Sequence, residues 1–221
     1  MIHHHYDSVI FDLDGTLLDT LEDLTSAVNH ALRTGGYPEH TIDDIRTFVG
    51  NGVGMLIRRA LPQSADSDNE AFSETLQAFK HYYASHNNDT TVPYHGITQM
   101  LGDLQKAGIQ MAIVSNKNDP NVKALNKTYF SQWIDLAIGE TEGIRRKPYP
   151  DSLIKAIETL KVSPNRTLYV GDSDVDVQTA ANAGVDCVAV CWGFRTESEL
   201  KAAGATVLIT EPSQLLPLVI E

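Results

Sequence analysis

The residues best suited to chemistry fall in two short acidic stretches, and each directly follows an apolar run. Val9-Ile10-Phe11 leads into Asp12-Leu13-Asp14-Gly15-Thr16, and Leu168-Tyr169-Val170 leads into Gly171-Asp172-Ser173-Asp174-Val175-Asp176. An apolar run closed by acids puts carboxylates at the carboxyl end of a strand, where open α/β sheets gather their ligands. Carboxylates are costly there unless they are solvated or face a cation. Plainer readings stand beside the functional one. Asp14-Gly15 suits an Asx-type turn, and Asp172, Asp174 and Asp176 suit helix caps. Asp172 and Asp176 are four apart and share a face if a helix begins at Ser173, whereas Asp174 falls off it. Paired acids at two strand ends favour hard oxygen donors around one divalent ion. That suits magnesium, which takes one or two carboxylates plus substrate phosphate and water.

Two further polar stretches lie between the acidic ones. Val114 runs into Ser115-Asn116-Lys117, which offers a hydroxyl and an amide to an anion; the plainer reading is a loop with a helix N-cap. Arg145-Arg146-Lys147-Pro148 is a basic cluster in an acidic chain. Such a cluster is usually a solvated loop, but clustered carboxylates need a counter-cation, and Lys147 is the candidate.

The elements that must position these groups follow from the apolar pattern. Runs at 8–11, 110–114, 136–139, 167–170, 187–191 and 207–209 are apolar without alternation, as expected of parallel strands covered on both faces. Helical stripes separate them. Ile97, Met100, Leu101 and Leu104 end at Gly108; Leu153, Ile154, Ile157 and Leu160 follow Pro150; and 173–183 ends at Gly184. The expectation is an α/β fold, a doubly wound parallel sheet. From Leu17 to about Asn88 there is no convincing strand. There are four helical stripes instead, far more chain than a strand–helix–strand crossover needs. The chain is therefore expected to divide into an α/β core of residues 1–16 and 89–221 and an inserted all-helical cap of 17–88.

With 221 residues, 42% of them hydrophobic, the chain can bury a sizeable core. Seventeen Lys and Arg against 29 Asp and Glu give a net charge of −12, which argues against a nucleic-acid partner. No apolar run reaches the ~18–20 residues of a membrane span, and Asp12 cuts short the first apolar run, so no leader peptide is expected. The expected compartment is the cytoplasm, with no membrane partner. Cys187 and Cys191 are too few for a disulfide framework and read as buried thiols. His3-His4-His5 reads as a tag remnant or a solvated start rather than a metal site.

Taken in order, Asp12-x-Asp14-Gly15-Thr16, Ser115, Lys147 and Gly171-Asp172 with Asp176 resemble the haloacid dehalogenase-like hydrolase superfamily over nearly the whole chain. Phe48-Val49-Gly50-Asn51-Gly52, Ser115-Asn116-Lys117, Lys147-Pro148 and Trp192-Gly193-Phe194-Arg195 look most similar to its phosphoglycolate phosphatases. The resemblance implies a magnesium-dependent phosphatase of a small phosphomonoester, 2-phosphoglycolate first among candidates, acting through an aspartyl-phosphate. It implies Asp12 as nucleophile, Asp14 as general acid and base, and Lys147 as fixed cation. Magnesium would be held by Asp12, the Asp14 carbonyl and Asp172, with Asp176 orienting Lys147 or a metal-bound water. Gly15, Ser115 and Asn116 would hold phosphate oxygens. In the cap, Asn51 in the glycine-rich approach to a helix N-terminus, with Arg58 or Arg59, would meet a small carboxylate. The expected partner is a small-molecule phosphate ester, and the expected state is a monomer or weak homodimer. A phosphosugar mutase and a catalytically inactive phosphate-binding module are the rival readings.

Overall fold

The computed structural model describes residues 6–66 and 69–220; His3, His4 and His5 lie outside the described residues. The chain divides into two units, Met1–Leu18 with Pro93–Glu221, and Asp19–Val92.

The first unit holds β1 (Ser8–Phe11), which is followed, after the excursion of the chain through the second unit, by a regular alternation of helix and strand. β2 (Leu18–Asp19) lies where the chain leaves. The second unit contains α1 (Leu21–Thr34), α2 (Ile42–Phe48), α3 (Val53–Ala60), the single turn α4 (Gln63–Asp66) and α5 (Asn69–Ser85). The chain returns through β3 (Val92–Pro93) and continues as α6 (Ile97–Lys106), β4 (Gln110–Asn118), α7 (Asp119–Tyr129), β5 (Leu136–Glu140) and α8 (Asp151–Leu160). It ends with β6 (Thr167–Gly171), α9 (Asp174–Ala183), β7 (Asp186–Val190), α10 (Glu197–Ala202), β8 (Val207–Ile209) and α11 (Leu216–Val219).

Six strands form one parallel sheet in the order β5-β4-β1-β6-β7-β8. β1 is central: it pairs with β4 on one side, Ser8 opposite Gln110, and with β6 on the other, Ser8 opposite Thr167. The chain builds outward from β1 through β4 to β5, then crosses to β6 and builds the other way. The switch therefore falls beside β1, where the carboxyl ends of the strands open a ligand crevice.

The apolar runs lack alternation because both faces are covered. Val9, Phe11, Met111, Ile113, Leu168 and Val170 pack with α6 and α7 residues such as Leu101, Leu104, Val122 and Leu125. Ile10, Ala112, Val114 and Tyr169 point the opposite way and pack with Leu153, Ala156 and Ile157 of α8 and Ala180 of α9. Adjacent residues thus serve opposite layers, the two-residue period of a strand.

In the helical unit the four stripes read from sequence are α1, α2, α3 and α5. Thr41 starts α2 with a capping box closed by Asp44, and Gly52 precedes α3 with a φ of 80°. Asp23, in the first turn of α1, is buried and accepts five hydrogen bonds of 2.7–3.2 Å from four donors, the main-chain N–H and hydroxyl groups of Thr90 and Thr91. That clamp joins the first and last segments of the unit. No helix among the described residues is long and apolar enough to cross a membrane. Cys187 and Cys191 are free and half-buried rather than fully buried.

Candidate active site

The site is assembled at the carboxyl ends of β1, β4 and β6. The ladder carries on one residue past β1, because Asp12 N–H donates to the Val170 carbonyl at 2.9 Å, and this fixes the acid at the strand end. The chain then reverses tightly: Leu17 and Leu18 N–H groups both donate to the Leu13 carbonyl at 3.0 Å, and Gly15 N–H donates to Leu18 O at 2.8 Å. Gly15 has a φ of 85°, and a Cβ there would collide with the Asp172 carboxylate. Both conditions require glycine.

Asp172 leaves β6 buried. Its Oδ1 accepts from the Thr16 hydroxyl at 3.1 Å and its Oδ2 from Phe194 N–H at 2.7 Å. The Trp192 indole donates to the Thr16 carbonyl at 3.0 Å, so the segment after β7 is tied to both acidic stretches. Asp176 sits one turn into α9. Ser173 is the N-cap, and the two form a capping box in which Asp176 Oδ2 accepts from Ser173 N–H at 3.1 Å. The cap reading of Asp176 and the functional reading are therefore both true. Asp172 and Asp176 converge through a strand end and a capping box rather than along one helix face, since the helix begins only at Asp174. Asp174 lies 3.5 Å from Arg195.

Lys147 binds the acids together. It is buried, with its Nζ 2.7 Å from Asp176 Oδ1, 3.0 Å from the Tyr169 hydroxyl and 2.9 Å from Asp12 Oδ1. Of the basic cluster, Lys147 is the residue that turns inward; Arg145 pairs with Asp151 and Arg146 with Glu140, as a solvated loop would. Burial works to discharge the Lys147 ammonium, but the Asp12 and Asp176 carboxylates outweigh it and hold its pKa above the usual lysine range. Burial pushes the Asp12 carboxyl up to about 7, helped by Asp176 and Asp14 and opposed by Lys147. Burial likewise holds Asp172 well above the ordinary range, reinforced by Asp176 and Asp12.

Ser115 and Asn116 lie buried within β4, which runs further than its apolar residues indicated and then meets α7, capped by Asn118. The Asn116 side chain clamps the main chain of Lys147. Its Oδ1 accepts from Lys147 N–H at 2.8 Å and its Nδ2 donates to Lys147 O at 3.0 Å. Lys117 places its Nζ 2.7 Å from Asp14 Oδ1. The structure thus brings together Asp12, Asp14, Gly15, Ser115, Asn116, Lys147, Asp172 and Asp176. Asn51 and Arg58 belong to the helical unit. There Asn51 Oδ1 accepts from Arg59 at 2.7 Å, and the Arg58 guanidinium lies 4.0 Å over the Phe72 ring. Lys117, Tyr169, Thr16 and Phe194 were not singled out as site residues. Thr16, Lys117 and Phe194 lie in motifs that carry the resemblance but were given no role of their own, and Tyr169, a phenol inside an apolar strand, carried a signal because a buried hydroxyl requires a partner.

Asp12, Asp172 and Asp176 present carboxylate oxygens that all lie within 4.8 Å of one another. Asp12 Oδ1 is buried and has no hydrogen-bond donor; Lys147 reaches it as an ion pair outside hydrogen-bond alignment. An orphaned carboxylate oxygen beside a second buried carboxylate fits a divalent cation, and hard oxygen donors suit magnesium.

A buried aspartate at the end of the central strand, faced by a lysine and a second acidic strand end, agrees with the sequence's resemblance to the haloacid dehalogenase-like hydrolases. The sequence profile of that family matches residues 9–190, and the chain belongs to it. Phosphoglycolate phosphatase of Pseudomonas putida is 36% identical over 216 residues, covering 95% of this chain and 78% of that protein. Phosphoglycolate phosphatase of Psychrobacter arcticus is 32% identical and covers 94% and 93% of the two chains. A crystal structure from Lactobacillus delbrueckii subsp. bulgaricus superposes with a TM-score of 0.92 at 36% identity, covering 98% of this chain and 99% of that one.

Proposed function

We propose that this hydrolase is a magnesium-dependent phosphatase that removes phosphate from a small acid phosphate, 2-phosphoglycolate by likeness to its named relatives. One observation carries the reading: the Asp12 carboxylate, buried at the end of β1, has an oxygen with no hydrogen-bond donor beside the Lys147 ammonium and Asp172.

An Asp12 oxygen attacks phosphorus, a bond forms to it, and the ester P–O bond breaks. Asp14, two residues on and ion-paired with Lys117 in the free protein, takes up a proton from solvent when substrate binds and gives it to the leaving oxygen. It then takes a proton from the water that cleaves the aspartyl-phosphate, returning Asp12 and releasing phosphate. Such proton transfer supplies about 10²–10⁴ in rate. Lys147 is a fixed charge against the anions. Its donors face Asp176, Tyr169 and Asp12, so it screens without needing to move. Magnesium, held by Asp12, Asp172 and the Asp14 carbonyl, would supply the further positive charge that a dianion and a carboxylate need to approach each other. Asp176 has both oxygens occupied by Lys147, Tyr169 and Ser173, which supports orienting Lys147 over direct ligation.

Phosphate release from a panel of phosphate esters tests the reading. We expect release with magnesium, its loss on chelation, and a fall of about a thousandfold or more in Asp12→Asn. Unimpaired turnover by Asp12→Asn would sink the assignment, and isomer interconversion without free phosphate would point to a mutase.

A further inference from the structure

The ion pair between Lys117 and Asp14 is the part of the site that the proposed reaction does not use. The two side chains are only 7% and 13% exposed, and their charged atoms are 2.7 Å apart. An ammonium is a strongly hydrated point charge, and burying one is costly unless it is paired. The carboxylate cluster already has its counter-cation in Lys147, and Asp14 does not belong to that cluster. Lys117 therefore faces the one site acid whose task is to meet the leaving group. An Asp14 oxygen occupied by Lys117 cannot at the same time reach an ester oxygen, so the pair must open, or be shared, when substrate binds.

The chemistry of a small acid phosphate supplies what opens it. The carboxylate of such an ester hangs one carbon from the ester oxygen, so a group that touches the acid at that oxygen is within reach of the carboxylate. Lys117 is placed there by β4 and Asp14 by the turn after β1, on neighbouring strands of a parallel sheet. We infer that Lys117 is the specificity-determining residue for the acid group of the substrate: its ammonium exchanges Asp14 for the substrate's own carboxylate, and Asp14 is thereby left open to the leaving oxygen. This rests on the phosphatase reading above. It makes the carboxylate of the substrate a condition for full turnover, because an ester without one leaves Lys117 on Asp14.

The test compares 2-phosphoglycolate with ethyl phosphate, which has a similar reach but no carboxylate. In the intact enzyme kcat/KM should favour 2-phosphoglycolate. Lys117→Met should cut that value by about 10–100-fold, the worth of one hydrogen bond between charged groups, while ethyl phosphate should lose nothing and gain where Asp14, no longer held by an ammonium, meets its leaving oxygen. Equal losses on both esters, or none on 2-phosphoglycolate, would overturn the assignment. A binding measurement by titration calorimetry on Asp12→Asn protein separates this idea from the reaction itself. There the affinity advantage of 2-phosphoglycolate over ethyl phosphate should vanish when Lys117→Met is added, and its survival overturns the proposal. If the intact enzyme cleaves neither ester, the phosphatase reading falls and the binding advantage still decides Lys117. Should Lys117→Met fail to fold, Asp14→Asn keeps the lysine and removes its competitor. Made in the Asp12→Asn protein, it should bind 2-phosphoglycolate several-fold more tightly than Asp12→Asn alone, and unchanged or weaker binding overturns the proposal.

Discussion

At the scale of single residues, the site depends on how each buried charge is held rather than on which charges are present. Asn116 illustrates this. By type it suits phosphate binding, but its amide grips both main-chain polar groups of Lys147 at 2.8 and 3.0 Å. Asn116→Ala would leave a buried N–H and C=O unpartnered, costing about 2–3 kcal/mol, and would let the Lys147 ammonium drift from Asp12. A misplacement of that kind lowers turnover by about 10–100-fold, mainly in kcat, which steady-state kinetics with a melting curve can separate from unfolding. A rise in KM with kcat unchanged would show that Asn116 binds phosphate directly. The acids themselves were legible in the sequence, because Asp12, Asp14 and Asp172 end apolar strands. Their partners were not. Lys117, Tyr169 and the N–H of Phe194 meet the acids only through the sheet order, and a linear pattern does not carry that order.

At the scale of elements, the sequence marked almost every piece whose apolar residues recur at a helix or strand period. β1 and β8 match their apolar runs residue for residue, and α9 ends at Gly184 in the left-handed region that glycine favours, with a φ of 69°. The missed pieces lack that periodicity. β2 and β3 are two residues each and α4 and α11 four, too short for any pattern; α10 has six residues, and α7 has a polar exposed face and begins at Asp119 directly after β4. Asp23 was missed because its role is a tertiary contact. Burial pushes the Asp23 carboxyl up, but the Thr91 and Thr90 donors outweigh it and hold its pKa below the ordinary carboxylate value. A lowered pKa means stability that is present above that ordinary value and lost as pH falls through the folded one. Asp23→Ala should destabilise the helical unit by about 2–4 kcal/mol, since it leaves buried donors unsatisfied. Hydrogen exchange at α1 and α5 amides should report the loss at neutral pH. Asp23→Asn should lose less than Asp23→Ala, and its deficit should shrink as pH falls from about 4, the ordinary carboxylate value, toward the lower folded pKa at which the wild-type carboxylate is itself neutralised. A deficit constant with pH would mean that packing, not charge, gives Asp23 its role.

At the scale of the whole molecule, a chain of net charge −12 concentrates buried acids in the unit that holds the candidate site, and that concentration opposes folding even with Lys147 beside it. The sign follows from Asp12, whose carboxyl is pushed up to about 7, and from Asp172, raised with it. Between about pH 4 and pH 7 the folded protein holds protons that the unfolded chain has released, so the metal-free protein loses stability as pH rises through that window. Lys147 limits the loss but does not reverse it, because its raised pKa keeps it charged across the same range. Magnesium competes with protons for these carboxylates. Its stabilisation should therefore be largest above pH 7 and fade toward pH 4, the opposite of the trend in the metal-free protein. At a hundredfold excess over its dissociation constant the ion contributes about 2.7 kcal/mol, or roughly 5–10 °C in melting temperature for a chain of this size. Melting curves from pH 4 to pH 8, with magnesium and with chelator, should converge at the acid end and diverge at the alkaline end. In Asp172→Asn one of the two raised carboxyls is gone, so the metal-free curve should flatten and most of the magnesium response should disappear. Parallel curves at all pH values would mean that the ion binds elsewhere than among Asp12 and Asp172.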